Sequence, residues 1–312
     1  MERRMENPSV HRDNTGKSIL YLSIGVFILT IQDVIIKWIS GSYPVQEIVL
    51  IRSVIAMIPI LAMAGRKHRW HLLKTRRVKG HMLRGVFMFS SYLSFYLSLT
   101  ALPLAVTVSL FFASPVFITM LSPYLLGDKV GIARWMAVFT GFAGVLVMLK
   151  PGAGMIDPAA LLGVLSAFFY ALGTIMTRRL GTTEEGITLT FYLTLMYILC
   201  ALVFTGLITR VTAFGGTHAS AEFLFREWQF PTTSDLPFFL GIGLISATAF
   251  YLLSQAYRMA LPSKISLFEY IAVPLSVIWG FLLWQDVLTP GTVIGMVMII
   301  GSGVYIFRRE NL

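Results

Sequence analysis

The sequence predicts an all-α membrane protein: ten transmembrane helices in two inverted five-helix repeats, with both termini cytoplasmic. Three observations carry this prediction. The chain is far too poor in charge to cover a water-facing surface, its apolar residues gather into ten span-length stretches, and a set of matching residues recurs at one constant offset.

Of 312 residues, 56% are hydrophobic and 13% charged, with a mean hydropathy of +0.76. Soluble domains carry about 25% charged residues, so a soluble enzyme, a disordered regulator and a nucleic-acid-binding domain are disfavoured. The single cysteine, Cys200, excludes an internal disulfide framework and any multi-cysteine metal site. The net charge of +10 suits a membrane surface better than a nucleic acid, because of how it is distributed.

A crossing helix needs about 20 apolar residues. Such stretches lie at 18–38, 45–64, 82–100, 104–126, 132–149, 158–178, 187–207, 236–257, 261–284 and 288–307. Backbone groups in lipid must be satisfied internally, which makes these stretches helices. The first runs on into Gln32, Asp33 and Lys37 and offers no small-residue cleavage site, so it is expected to be a span rather than a removable signal. The short connections hold turn signals such as Pro151-Gly152 and Pro290-Gly291.

Basic residues set the orientation. With the N-terminus inside, Arg3, Arg4, Arg12 and Lys17 face the cytoplasm, as do the cluster from Arg66 to Arg84 and the set Lys129, Arg134, Arg178, Arg179, Arg258, Lys264, Arg308 and Arg309. Of the 25 Lys and Arg residues, only Lys150, Arg210 and Arg226 then fall outside, while Lys37 and Arg52 lie within spans.

The repeat appears at an offset of 159 residues. Ala101-Leu102-Pro103 matches Ala260-Leu261-Pro262, Tyr92-Leu93 matches Tyr251-Leu252, Pro115 matches Pro274, and Gly144-Val145 matches Gly303-Val304. The register divides the chain into a tail at 1–17, a first repeat at 18–150, a second at 151–307 and a tail at 308–312. Five helices per half require the second half to be inserted upside down. Inverted repeats mark secondary transporters, whose sites lie near the midplane between repeats.

Ten helices in two halves, Ala-Leu-Pro turns before helices 4 and 9, Pro115 and Pro274 within them, and the Gly141-Phe142-Ala143-Gly144-Val145 and Gly301-Ser302-Gly303-Val304 ends resemble the EamA-type drug/metabolite transporter superfamily. The resemblance covers nearly the whole chain. It implies a solute pathway between two bundles, with helices 5 and 10 peripheral and acidic residues after helices 4 and 9, here Asp128 and Asp286. Asp286 stands one position off the repeat register. The stretch from Pro44 to Ser53 is similar to the riboflavin-type branch, where an arginine in the setting of Arg52 is usual. Relatives either export amino acids and drugs or take up vitamins, so the resemblance fixes neither solute nor direction.

Ionisable residues at membrane depth cost about 2.5–3.5 kcal/mol on insertion scales and mark function by default. Glu269, eight residues past the start of helix 9, either binds solute or carries a coupling proton, or else serves as hydrogen-bonded glue between helices. Asp33 and Lys37 have the i,i+4 spacing of an intrahelical ion pair; they gate the outer mouth, touch solute, or neutralise each other. Arg52 holds an anionic or carbonyl group, or locks helix 2 to Asp33 or Glu47. Tyr92 and Tyr96 share one face of helix 3, and with Tyr270 they complete the expected contacts. Aromatic walls with few charges suit a flat or amphipathic organic solute, vitamin-like as riboflavin is, or an amino acid or drug-like compound on the same fold. A channel or a non-transporting scaffold is the alternative of another class.

His11, His68, His71, His81 and His218 are all expected in loops or the tail, with no buried histidine relay. No paired-His zinc motif, phosphate loop or nucleophile elbow is present, so no cofactor and no enzymatic activity are expected. Transport then draws on a gradient, such as a proton gradient, or is facilitated. The 66–81 loop interleaves basic and apolar residues and suits either anionic lipid or a topology role. Gly291-Thr292-Val293-Ile294-Gly295 allows close helix contact at a homodimer face. The outer segment 208–235 either rests on the membrane or covers the outer mouth. The resemblance implies a bacterial-type inner membrane.

Overall fold

A computed structural model describes residues 15–66, 70–127, 131–149, 157–208 and 218–310. The described residues are helical with short connections. In order they form α1 (Thr15–Ile39), α2 (Val45–Arg66), a 3-10 turn (Trp70–Leu73), α3 (Val78–Ala101), α4 (Leu104–Phe111), α5 (Ser114–Leu126), α6 (Ile132–Leu149), α7 (Pro158–Gly181), α8 (Gly186–Ile208), α9 (Ala219–Phe225), α10 (Leu236–Met259), α11 (Pro262–Ile265), a 3-10 segment (Ser266–Ile271), α12 (Ala272–Trp284) and α13 (Pro290–Glu310).

Among the described residues, six stretches are long and apolar enough to cross a membrane: Gly16–Ile39, Val45–Gly65, Leu104–Leu126, Pro158–Gly181, Gly186–Ile208 and Leu236–Met259. Shorter apolar helices occupy Trp135–Gly144, Phe268–Trp284 and Pro290–Ser302. The 82–100 stretch is in neither group. Its helix, α3, turns Arg84, Ser91, Ser94, Ser98 and two tyrosines into the protein interior, and burying polar groups against protein lowers the helix's apolarity.

The two Ala-Leu-Pro turns fold alike. Leu102 (φ −117°, ψ 157°) and Leu261 (φ −67°, ψ 130°) are extended, as a residue before proline prefers. Beyond each turn the half breaks its helix before a proline. Pro115 cannot donate to the Phe111 carbonyl, and α4 gives way to α5 through a tight turn in which the Ala113 amide bonds Leu110 O at 3.1 Å. Pro274 likewise cannot donate to Tyr270, and the chain there is 3-10 from Ser266 to Ile271. Glu269 therefore sits in a 3-10 segment, not in a regular α-helix. The two helices after the breaks end on left-handed residues, Gly127 (φ 74°) and Gln285 (φ 53°), each followed in sequence by an acidic residue. Asp128 itself lies outside the described residues.

Packing follows the same exchange of halves. The contact of α3 with α7 has its counterpart in that of α1 with α10, and the contact of α2 with α10 in that of α3 with α8; α2–α8 and α6–α13 are their own counterparts. Small residues permit the approach: a Cβ on Gly173 would come within 2.7 Å of Met88 Cγ. Thr292 and Gly295 are buried within the chain, so that part of the Gly-x-x-x-Gly stretch is already packed.

Candidate functional site

One face of α3 organises the interior. Arg84, Met88, Ser91, Tyr92, Phe95 and Tyr96 recur at the three- and four-residue spacing that aligns helical side chains. They line a cavity of about 150 Å³. Facing them are Thr30, Gln32 and Asp33 of α1, Phe111 of α4, Tyr170 and Thr177 of α7, Tyr197 of α8, Ser254 and Tyr257 of α10, and Glu269 at the second helix break. Both breaks thus border the cavity, where irregular backbone is sheltered from lipid.

Glu269 is 2% exposed. Tyr170 and Tyr257 both donate to its Oε1, at 2.5 and 2.6 Å, leaving Oε2 without a hydrogen-bond partner. Asp33 accepts from Tyr96 at 2.6 Å, and Tyr96 Oη accepts from Gln32 Nε2 at 3.1 Å. Gln32 continues the line, its Oε1 lying 2.6 Å from Ser246 Oγ, which accepts from Arg52 Nη1 at 2.6 Å. One polar chain therefore joins α2, α10, α1 and α3.

Several expected placements change. Asp33 and Lys37 do not pair: Lys37 Nζ donates to Leu102 O at 3.0 Å and sits 5.1 Å over the Trp284 ring. Arg52 does lock its helix, but to Ser246 rather than to Asp33 or Glu47. It lies behind the cavity wall, with its guanidinium 4.1 Å from the Tyr92 ring centre. Glu47 Oε2 instead accepts the Gln229 amide at 3.1 Å. Tyr92 and Tyr96 line the cavity with ring centres 4.3 Å apart, whereas Tyr270 stands one ring back, packed against Phe112 at 5.1 Å.

Two residues that the sequence placed on the cytoplasmic side, His81 in the loop and Arg84 in the basic cluster, are buried in α3. His81 is 1% exposed and stacks on Tyr192 at 4.4 Å. Arg84 is 2% exposed and reaches the cavity. The first turns of α3 belong to the bundle because α7 and α8 extend alongside them, which a window of hydropathy cannot register. Arg84 had one signal in the sequence: it precedes Tyr92 by eight residues, so it shares the face of Tyr92 and Tyr96. Tyr197 of α8 and Tyr257 of α10 had none: α8 is apolar all round, and in either helix a lone tyrosine looks like any other ring. Thr75 of the 66–81 loop donates to Glu184 at 2.6 Å, and Leu73 O accepts from Tyr192 at 2.9 Å; residues 67–69 lie outside the described residues.

The described part of the outer segment, from residue 218, packs over the ends of α1, α2 and α3. Ser220 Oγ donates to Leu97 O at 2.6 Å, Gln46 Nε2 to Leu224 O at 3.3 Å, and Arg226 to Ser40 O. Tyr43 donates to Asp235 at 2.6 Å, which with a Thr232 hydroxyl holds that carboxyl below the usual carboxylate range.

The fold and its largely apolar, tyrosine-walled cavity, edged by a few polar groups, fit a multi-pass membrane protein with room for a small molecule. The EamA-like transporter family model matches residues 16–150 and again 157–308, and the chain belongs to that family. A riboflavin transporter of Vibrio cholerae is 30% identical over 88% of this chain and 86% of its own length. An S-adenosylmethionine uptake transporter of Rickettsia bellii is 25% identical over 93% and 94%, and a pseudopaline exporter of Pseudomonas aeruginosa 23% over 96% and 99%. A chain of known crystal structure superposes with a TM-score of 0.65, covering 94% of this chain and 97% of that one at 16% identity, which speaks for the fold alone. Family membership and these relatives make the protein a small-molecule membrane transporter.

Proposed function

We propose that the protein is a secondary transporter that moves a flat or amphipathic organic metabolite across a bacterial-type inner membrane by alternating access. In this reading ten helices cross the membrane, both ends are cytoplasmic, and residues 18–150 and 151–307 are the inverted halves. The observation that carries it is the cavity at the two helix breaks, walled by tyrosine rings and holding two carboxylates, Asp33 and Glu269. Tyrosine faces suit stacking on a flat ring system, and the hydroxyls and carboxylates suit its polar edge. Riboflavin, the solute in the names of two relatives, is the first compound to test. Glu269 is the proposed coupling group: its Oε2 has no partner, so it is able to hold or release a proton as solute enters.

The test is counterflow in proteoliposomes. Vesicles loaded with unlabelled riboflavin should accumulate labelled riboflavin saturably in the wild type, and an imposed proton gradient should drive it further. Glu269→Gln should keep exchange and lose the response to the gradient. Flux that neither saturates nor counterflows would indicate a channel, and its complete absence with all solutes tried, amino acids included, a scaffold.

A further inference from the structure

Arg84 is a buried cation in the cavity wall, and among the described residues no carboxylate forms an ion pair with it. Its partners are neutral. Nε donates to Thr177 Oγ1 at 2.6 Å, Nη1 to Leu189 O at 2.8 Å and Nη2 to Ser254 Oγ at 3.3 Å. Thr177 is committed as an acceptor because its own hydroxyl donates to Gly173 O at 2.8 Å. A guanidinium has five N–H donors. Three are used, and one remains on each terminal nitrogen.

Burying a charge without a counter-ion is costly. Side chains of α7 and α10 and the α8 backbone nonetheless hold this one, by three hydrogen bonds, against the cavity. The same two helices that fix it also supply the phenols on Glu269. On α7, Thr177 follows Tyr170 by two turns; on α10, Tyr257 follows Ser254 by one. The cationic group and the carboxylate are therefore set at separate places along one wall, each with spare hydrogen-bonding capacity.

We propose that Arg84 is the oxyanion subsite of the transport cavity: its two remaining N–H groups bind a carboxylate or phosphate carried by the solute beside its flat portion. This inference rests on the transporter reading and narrows its solute to compounds with an anionic group, a class to which riboflavin, uncharged at neutral pH, does not belong. The two-donor fork favours a planar carboxylate, which accepts two parallel hydrogen bonds. The solute's anion supplies the counter-charge that the fold leaves out.

The experiment uses the purified full chain in detergent and a matched probe series on one ring system: indole-3-propionate, indole-3-propionamide and tryptamine. Binding is read by the concentration dependence of the thermal midpoint. For the wild type, indole-3-propionate should bind at least tenfold more tightly than its amide. Arg84→Gln should abolish that preference and bind tryptamine, a cation freed from repulsion by Arg84, at least as tightly as the wild type does, and Arg84→Lys, which keeps charge but not the fork, should retain part of the preference. Equal binding of acid and amide to the wild type would overturn the proposal, and this comparison needs no variant to fold. So would an equal loss of all three probes in Arg84→Gln, the signature of a helix clamp, or no binding by any of them. If riboflavin counterflow fails while the acid preference holds, the solute of the transporter reading is wrong and the subsite stands. Counterflow without the preference has the opposite meaning.

Discussion

Tyr96 donates its hydroxyl to Asp33 at 2.6 Å, so α3 grips the cavity carboxylate of α1 directly, while the guanidinium of Arg52 reaches the same carboxylate only through Ser246, Gln32 and Tyr96 in turn. The phenol is thus the member of the line that joins the Asp33 carboxylate to the Gln32 amide.

Tyr96→Phe keeps the ring and its stacking but orphans Asp33 Oδ1 and the Gln32 amide. Leaving a buried polar group unpaired costs about 1–3 kcal/mol. Thermal or denaturant unfolding in detergent should show that loss. Gln32→Ala combined with Tyr96→Phe should cost less than the sum of the single changes, since both act on one network.

Tyr170→Phe and Tyr257→Phe each remove one of the two donors on Glu269 Oε1. Either alone should weaken solute binding or coupling modestly, because the second phenol remains. The double variant should resemble Glu269→Gln in losing its response to a proton gradient. Counterflow with and without the gradient measures both.

The Tyr43–Asp235 bond fastens the outer segment to the α1–α2 turn. Asp235 titrates below its ordinary value of 3.8, held there by the Tyr43 and Thr232 hydroxyls. A depressed carboxyl contributes stability that is complete above the unfolded value and lost as pH falls through the folded one. The difference in thermal midpoint between wild type and Tyr43→Phe should therefore be constant at neutral and mildly acidic pH and shrink below about pH 4. A difference that grows with acidification would contradict the assignment.

At Gly85, where α3 crosses α8, a Cβ would overlap the Met196 side chain. Gly85→Val should cost about 1–3 kcal/mol by overpacking, seen as a lowered midpoint, and Met196→Ala should restore part of it by vacating the space.

The breaks in α4 and before α12 were foreshadowed by Pro115 and Pro274, because a proline removes a specific backbone donor whatever surrounds it. Membrane character, too, was legible, since hydropathy and charge are summed along the chain. Asp33, Glu269, Tyr92 and Tyr96 could be singled out for the same reason: an ionisable group inside an apolar run is conspicuous, and two rings at i,i+4 share a face on any helix.

Which groups meet was decided only by the tertiary structure. Lys37 is one turn from Asp33, yet it bonds Leu102 O while Asp33 goes to Tyr96, because these tertiary hydrogen bonds outweigh a local pairing worth only about 0.2–0.5 kcal/mol. His81 read as a loop residue and Arg84 as part of a cytoplasmic basic cluster, yet both are buried, because α7 and α8 pack beside the first turns of α3. Tyr170, Tyr257 and Glu269 come from three elements, and Tyr170 stands 99 residues from the carboxylate it bonds. Local chemistry thus fixed which groups are costly to bury, and helix packing alone decided which of them share a cavity.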